Sequence, residues 1–187
     1  MRIIAGELRG RGLVSPKGEE CRPAMGRTRE ALFSMLEARG LEYPEARVLD
    51  IFAGSGSLSF EALSRGAKEA LLIEKSSLVR QCIEKNCRAL NVQEKIRIVQ
   101  EDALRYLRRG SPEGFDLVFL DPPYRQNLVN PSLTLLVEKN WLREGAFLVA
   151  EVEEGASVSL PRELTFLTER LFGQTFVVMA RYENKDE

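Results

Sequence analysis

Leu117, Val118, Phe119 and Leu120 form an unbroken apolar run, and Asp121-Pro122-Pro123-Tyr124 stops it. A strand without a polar side must be covered on both faces, which points to a sheet held between helices. Pro122 has no N–H, so a hydrogen-bonded ladder cannot continue past Asp121. The two prolines also push Asp121 and Pro122 towards extended backbone. The product is a stiff turn at the carboxyl end of a buried strand. It carries a carboxylate, carbonyl groups without ladder partners and a flat ring. In open α/β sheets that edge is where ligands bind. A plain strand-to-loop turn with a buried tyrosine is the other reading of the tetrapeptide alone.

The rest of the chain alternates. Residues 1–15 read as a hairpin with a flexible basic segment, Arg9-Gly10-Arg11-Gly12, and residues 15–23 as a loop. Ala31, Leu32, Met35 and Leu36 predict the apolar face of a helix running from near Arg27 to Gly40. Strands are expected at 47–52, 69–74 and 96–100, then at the run just described, and then at 146–152 after a turn at Gly145. Helices are expected between them at 57–65, 76–90, 102–107 and 131–139. Two further strands, 163–172 and 174–182, are separated only by Gly173 and read as a closing antiparallel hairpin. This order predicts an α/β, doubly wound, mostly parallel seven-stranded sheet ending in an antiparallel hairpin. An N-terminal hairpin and helix, residues 1–40, would precede a main domain of residues 41–187.

Composition removes several chemistries. The 187 residues include no histidine, which excludes Ser-His and Cys-His nucleophile pairs and histidine-ligated metals. Cys21, Cys82 and Cys87 show no C-x-x-C spacing and read as reduced, packed thiols. No apolar run approaches the ~20 residues that span a bilayer, and no secretory leader is visible, so a cytoplasmic protein is expected. Residues 1–29 hold seven basic side chains against three acidic ones, a net +4, while the whole chain is −1. A basic arm on a mildly acidic body suits a polyanion held against one face.

Four groups fall at successive strand ends. Gly54 and Gly56 in D-I-F-A-G-S-G permit a tight turn and close ligand approach before a helix N-terminus. The third glycine of a dinucleotide fingerprint is absent, because Ser59 occupies its place. Glu74 can take both hydrogen bonds of a ribose diol. Asp102 can accept from an exocyclic amine, or equally cap the following helix. The fourth group is the proline turn. Together they describe a pocket for an adenosine bearing an amino-acid tail, beside a turn suited to a flat, amine-bearing base.

The order D-x-F-x-G-x-G, acidic, E-D-A, D-P-P-Y resembles that of S-adenosylmethionine-dependent methyltransferases acting on exocyclic nitrogens. R-I-I-A-G-E-L-R-G-R, R-P-A-M-G-R-T-R-E-A-L-F-S-M-L and F-A-G-S-G-S-L-S-F-E-A-L-S-R-G-A are similar to the RsmD family of 16S ribosomal RNA guanine-N2 methyltransferases. Ala24 and Gly26 stand where that family commonly has threonine and aspartate.

The resemblance implies a Rossmann-like methyltransferase sheet and S-adenosyl-L-methionine contacted by Asp50, Phe52, Ala53, Gly54, Gly56, Glu74, Asp102 and Ala103. It implies catalysis by Asp121, Pro122, Pro123 and Tyr124, and RNA contacts from Arg2, Arg9, Arg11, Arg22, Arg27 and Arg29. The expected partner is 16S ribosomal RNA or an assembling small subunit, met by a monomer without metal or membrane. An adenine-N6 DNA methyltransferase, a non-catalytic RNA-binding module and an NAD(P) oxidoreductase are the alternatives.

Overall fold

The computed structural model describes residues 1–15, 23–153, 155–173 and 175–185. Helix α1 (Pro23–Glu37) precedes the alternating unit β1 (Arg47–Ile51), α2 (Ser57–Ser64), β2 (Glu69–Ile73), α3 (Ser77–Leu90), β3 (Ile96–Val99), α4 (Ala103–Leu107), β4 (Phe115–Leu120), α5 (Val129–Glu138) and β5 (Leu142–Glu153). The strands β6 (Leu164–Phe172) and β7 (Thr175–Tyr182) close the chain. All seven strands form one sheet in the order β3-β2-β1-β4-β5-β7-β6. The first five are parallel, and β7 inserts antiparallel between β5 and β6.

Alternation along the strands sends side chains to two apolar layers. Val48, Leu117, Phe119 and Val149 face one cluster with Leu32, Phe33 and Leu36 of α1, Phe60 and Leu63 of α2, and Ile83 and Leu90 of α3. Leu49, Ile51, Val118, Leu120 and Leu148 face the other, with Tyr106 and Leu107 of α4 and Leu133 and Leu136 of α5. The sheet is therefore covered on both sides, as the unbroken apolar run requires. Among the described residues no helix is long and apolar enough to cross a membrane.

Three boundaries differ from the sequence reading. Helix α1 starts at Pro23 rather than near Arg27, because a proline at the first helical position gives up an N–H that has no helical partner anyway. Likewise α5 starts at Val129, which leaves Pro131 inside the first turn. Gly145 is not a turn before β5 but lies within it at φ 76. There the register against β4 jumps, with Phe115 opposite Leu142 and Leu117 opposite Phe147. Such an irregularity is a bulge, and a glycine with positive φ accommodates it.

The N-terminal arm is a hairpin, with Arg2 opposite Gly12 and cross-strand bonds from Ile3 N to Arg11 O at 3.0 Å, Gly10 N to Ile3 O at 2.9 Å and Leu13 N to Met1 O at 2.8 Å. The body of the protein supplies many of its other hydrogen bonds. Glu61 of α2, fully buried, accepts the N–H groups of Ile4 at 2.8 Å and Ala5 at 3.0 Å. Ser64 Oγ accepts from Leu8 N at 2.9 Å, and Ser64 O accepts from Glu7 N at 2.7 Å. Gly6 lies so close to Ser64 that a Cβ there would sit 1.8 Å from its carbonyl oxygen. Asn86 of α3 clasps both the N–H and the C=O of Val14, at 2.8 and 2.9 Å.

Glu61 also meets Arg65 Nη2 at 3.0 Å and Arg29 Nε at 3.6 Å. One carboxylate thus joins the arm, α1 and α2. Removing one member of a buried ionic group leaves the others uncompensated, at a cost of about 3–5 kcal/mol. Glu61→Ala is expected to lower unfolding free energy by about that amount in urea titrations and to speed proteolytic release of residues 1–15.

Asp50 is the other carboxylate buried within the layers. It is 2% exposed and accepts Ser59 Oγ at 2.7 Å. Burial pushes its pKa up to about 7, against the Ser59 hydrogen bond and with the help of the Glu151 and Glu74 charges. Between the ordinary carboxylate range and pH 7 the folded state therefore holds a proton that the unfolded state has lost. Stability contributed by that proton falls as pH rises through the window. The melting temperature should fall between about pH 4 and 7, and Asp50→Asn should make that decline shallower.

Candidate active site

Strand β1 ends in a backbone that glycine makes possible. Phe52 has φ 66, Gly54 φ 52 and Gly56 φ 72. At Gly56 a Cβ would lie 3.0 Å from Leu72 Cδ2 and 3.1 Å from Phe60 Cε2, so packing as well as conformation demands glycine. Around Gly54 the corresponding space is open, the nearest atom being Phe52 O at 4.0 Å. Ala53 N donates to Ile73 O and Gly56 N to Ala53 O, which fixes the loop against β2. No side chain caps α2, whose first-turn N–H groups open onto this loop.

Glu74 follows β2 and is pinned on both oxygens. Oε2 accepts Gly54 N at 3.2 Å and Oε1 accepts Ser76 N at 2.7 Å. Each oxygen keeps a further lone pair for a ligand. Asp102, exposed, caps α4 by accepting Arg105 N at 3.0 Å, and Ala103 is buried behind it. The cap accounts for this aspartate's position, and its second oxygen is left for the role expected from the sequence.

The proline turn lies one rung away. Ile51 pairs with Leu120, and Asp121 N still reaches Ile51 O at 3.5 Å, immediately before Phe52 and the glycine loop. Asp121, Pro123 and Tyr124 are exposed and Pro122 is buried. The loop then arches over the ends of β5 and β7. Tyr124 Oη hydrogen-bonds Thr175 Oγ1 at 2.7 Å, and Arg125 N donates to Glu153 Oε1 at 2.9 Å. The hydroxyl is thereby anchored while the ring stays 52% exposed. The fold brings Asp50, Phe52, Ala53, Gly54, Gly56, Glu74 and Asp121 to one sheet edge.

Sequence reasoning did not single out Glu151. It follows the buried run Ala146–Ala150 at the same edge, and its charge raises the Asp50 pKa. The available signal was the one that marks Glu74 and Asp121, a carboxylate at the carboxyl end of a buried strand. Burial holds Asp50 and Glu151 towards their neutral forms, so the negative field at this edge rests on Glu74. That field suits a ligand with a sulfonium or ammonium charge and opposes a pyrophosphate, while α2's N-terminus can still take a carboxylate tail. Among the described residues no group of carboxylates and thiols is arranged to hold a metal ion.

The arginines divide. Arg2, Arg9, Arg11 and Arg27 are exposed. Arg2 Nη1 is braced on Gly10 O at 2.9 Å, and the Arg11 guanidinium contacts Ala89 O. Arg29 is corrected out of the RNA-facing set. It is 5% exposed, donates to Arg2 O and pairs with Glu61. Arg29 stands three, four and seven residues before Leu32, Phe33 and Leu36, in the stripe that faces the core, and is carried inward to pair with Glu61. Arg22 lies outside the described residues.

Residues 1–181 match the family model described as conserved hypothetical protein 95. The ribosomal RNA small subunit methyltransferase D of Haemophilus influenzae is 38% identical over 176 residues, covering 92% of this chain and 89% of its own. That of Escherichia coli K12 is 36% identical, covering 100% of this chain and 92% of its own. Among solved structures the yhhF protein of Escherichia coli superposes with a TM-score of 0.87 at 36% identity over 98% of both chains. The HI0767 protein of Haemophilus influenzae gives 0.84 at 34% identity, again over 98% of both. A glycine loop and a proline turn sharing one sheet edge thus occur in a chain that aligns end to end with these proteins, and the chain belongs to the RsmD family of methyltransferases.

Proposed function

We propose that the protein transfers a methyl group from S-adenosyl-L-methionine to the exocyclic N2 amine of a guanine in 16S ribosomal RNA. The observation that carries this reading is the Asp121-Pro122-Pro123-Tyr124 turn one rung from the Gly54–Gly56 loop. Relatives spanning the whole chain that are named for ribosomal RNA methylation support it.

The cofactor, when bound, supplies an electrophilic sulfonium methyl and leaves as a neutral thioether. Gly54, Gly56 and the α2 N-terminus would receive its amino-acid tail, with Asp50, Phe52 and Ala53 shaping the floor. Glu74 would take the ribose hydroxyls on its remaining lone pairs. Asp102 and Ala103 would border the adenine. The Asp121 carboxylate and the Pro122 carbonyl would accept the two N2–H bonds, which frees the nitrogen lone pair from the ring and aims it, and the proton that the methylated nitrogen must shed would pass to the Asp121 carboxylate. Pro123 keeps that carbonyl in place. Tyr124 stacks on the base, worth about 1–3 kcal/mol. Positioning of this kind can supply up to ~7–11 kcal/mol of the barrier reduction. A guanine inside a duplex cannot reach the turn, so the target must be unstacked.

Residues 1–40 would act as the RNA-gripping extension and residues 41–187 as the catalytic unit, working in the cytoplasm where small subunits assemble. Arg2, Arg9, Arg11 and Arg27 would hold phosphates on a braced scaffold.

Methyl-labelled cofactor offered with small-subunit ribosomal RNA, small-subunit particles or DNA tests the reading. Label in guanine N2 of RNA is expected, and label confined to DNA would overturn it. Asp121→Ala should cut turnover about 10²–10³-fold with cofactor Kd nearly unchanged. A parallel loss of cofactor binding would remove the role assigned to Asp121. Replacing Arg9 and Arg11 by alanine should flatten the log–log salt dependence of RNA binding by about 0.7 per lost phosphate contact on a single strand. An unchanged slope would exclude the arm from the interface.

A further inference from the structure

Strand β5 runs beside β4 with Phe119 opposite Val149 and Leu120 opposite Ala150, and Asp121 and Glu151 are each the next residue beyond that last pair. Val149 belongs to the layer under α1–α3 and Ala150 to the opposite layer. Alternation therefore returns Glu151 to the face that carries Asp50. It is partly exposed. The Tyr124 ring that would hold the base is tied by its hydroxyl to Thr175, which pairs with Glu153 two residues beyond Glu151. A base stacked on that ring lies over the β4–β5 edge, where Glu151 stands.

We propose that Glu151 selects guanine by accepting its N1–H, the donor adjacent to the amine that Asp121 and Pro122 engage. This rests on the guanine-N2 reading and adds the residue that would enforce it. Guanine presents N1–H and N2–H donors side by side, whereas adenine presents an N1 lone pair there, which a carboxylate repels. Burial raises the Glu151 pKa above the ordinary carboxylate range, and a donor from the correct base would offset that cost. An analogue without N1–H leaves the carboxylate desolvated and unpaired, the situation in which polar sites discriminate most strongly.

The test compares two versions of the RNA that the wild-type protein methylates. One carries guanine at the target position. The other carries 2,6-diaminopurine, which keeps the N2 amine but has an unprotonated N1. The wild-type kcat/KM ratio should favour guanine by at least about 10²-fold. Glu151→Gln, whose amide can donate to N1, should lower that ratio at least tenfold while cofactor Kd and melting temperature hold. Equal use of both RNAs by the wild-type protein would overturn the proposal without reference to any variant. An unchanged ratio in Glu151→Gln, or uniform loss on both RNAs, would also overturn it. Failure of the wild-type protein to methylate either RNA at N2 would instead sink the guanine-N2 reading beneath it.

Discussion

Pro122 cannot donate a hydrogen bond, and the shape of the candidate active site follows from that. Strand β4 lies between β1 and β5 with apolar side chains on both faces, and a chain in that position would ordinarily extend its ladder. The proline stops it one residue beyond Leu120. Asp121 is left at the mouth of the crevice beside the β1 loop, and the chain turns outward to lay Tyr124 across β7. The reaction inferred here asks for two acceptors and a flat surface next to a cofactor loop. A strand that ends against its will supplies all three without a metal or a covalent intermediate.

Electrostatics organises the molecule in opposite senses at its two ends. At the sheet edge Glu74 sets a negative field where a cationic donor would sit, while burial holds Asp50 and Glu151 towards their neutral forms. On the α1–α2 side a carboxylate does structural work. Glu61 neutralises Arg29 and Arg65 and fixes the backbone of Ile4 and Ala5. Because α2 bears both Glu61 and, at its first turn, the glycine loop, the arginine-bearing arm and the cofactor loop are mounted on one short helix. The backbone of the arm is thereby held against the body, and under the proposed function that would lower the entropy lost on gripping a phosphate chain.

The sequence was most legible where one residue type has one physical consequence. The two prolines ended β4, and Gly173 joined β6 to β7 as the pattern required. Ser76 capped α3, with Ile83 and Leu90 turned inward. It was least legible where the consequence depended on a neighbour far along the chain. Arg9-Gly10-Arg11-Gly12 looks flexible in isolation, yet contacts with Glu61, Ser64 and Asn86 hold the surrounding arm. Arg29 looks like its exposed neighbour Arg27, yet it lies on the stripe of Leu32, Phe33 and Leu36, where Glu61 and the Arg2 carbonyl receive it. Gly145 looks like a turn and is a bulge, because β5 continues on both sides of it.

The sequence by itself determined the layer architecture, the place of the pocket at the strand ends and the chemical types gathered there. Apolar runs, breakers and strand-end carboxylates act locally and can be read in order. Only the tertiary structure decided which charges face water and which face one another. It brought Glu151 to the same sheet edge as Asp121, set Glu61 among two arginines and the arm, and raised Asp50 towards neutrality. Burial and pairing are properties of the space between elements, and that space exists only once the sheet has assembled.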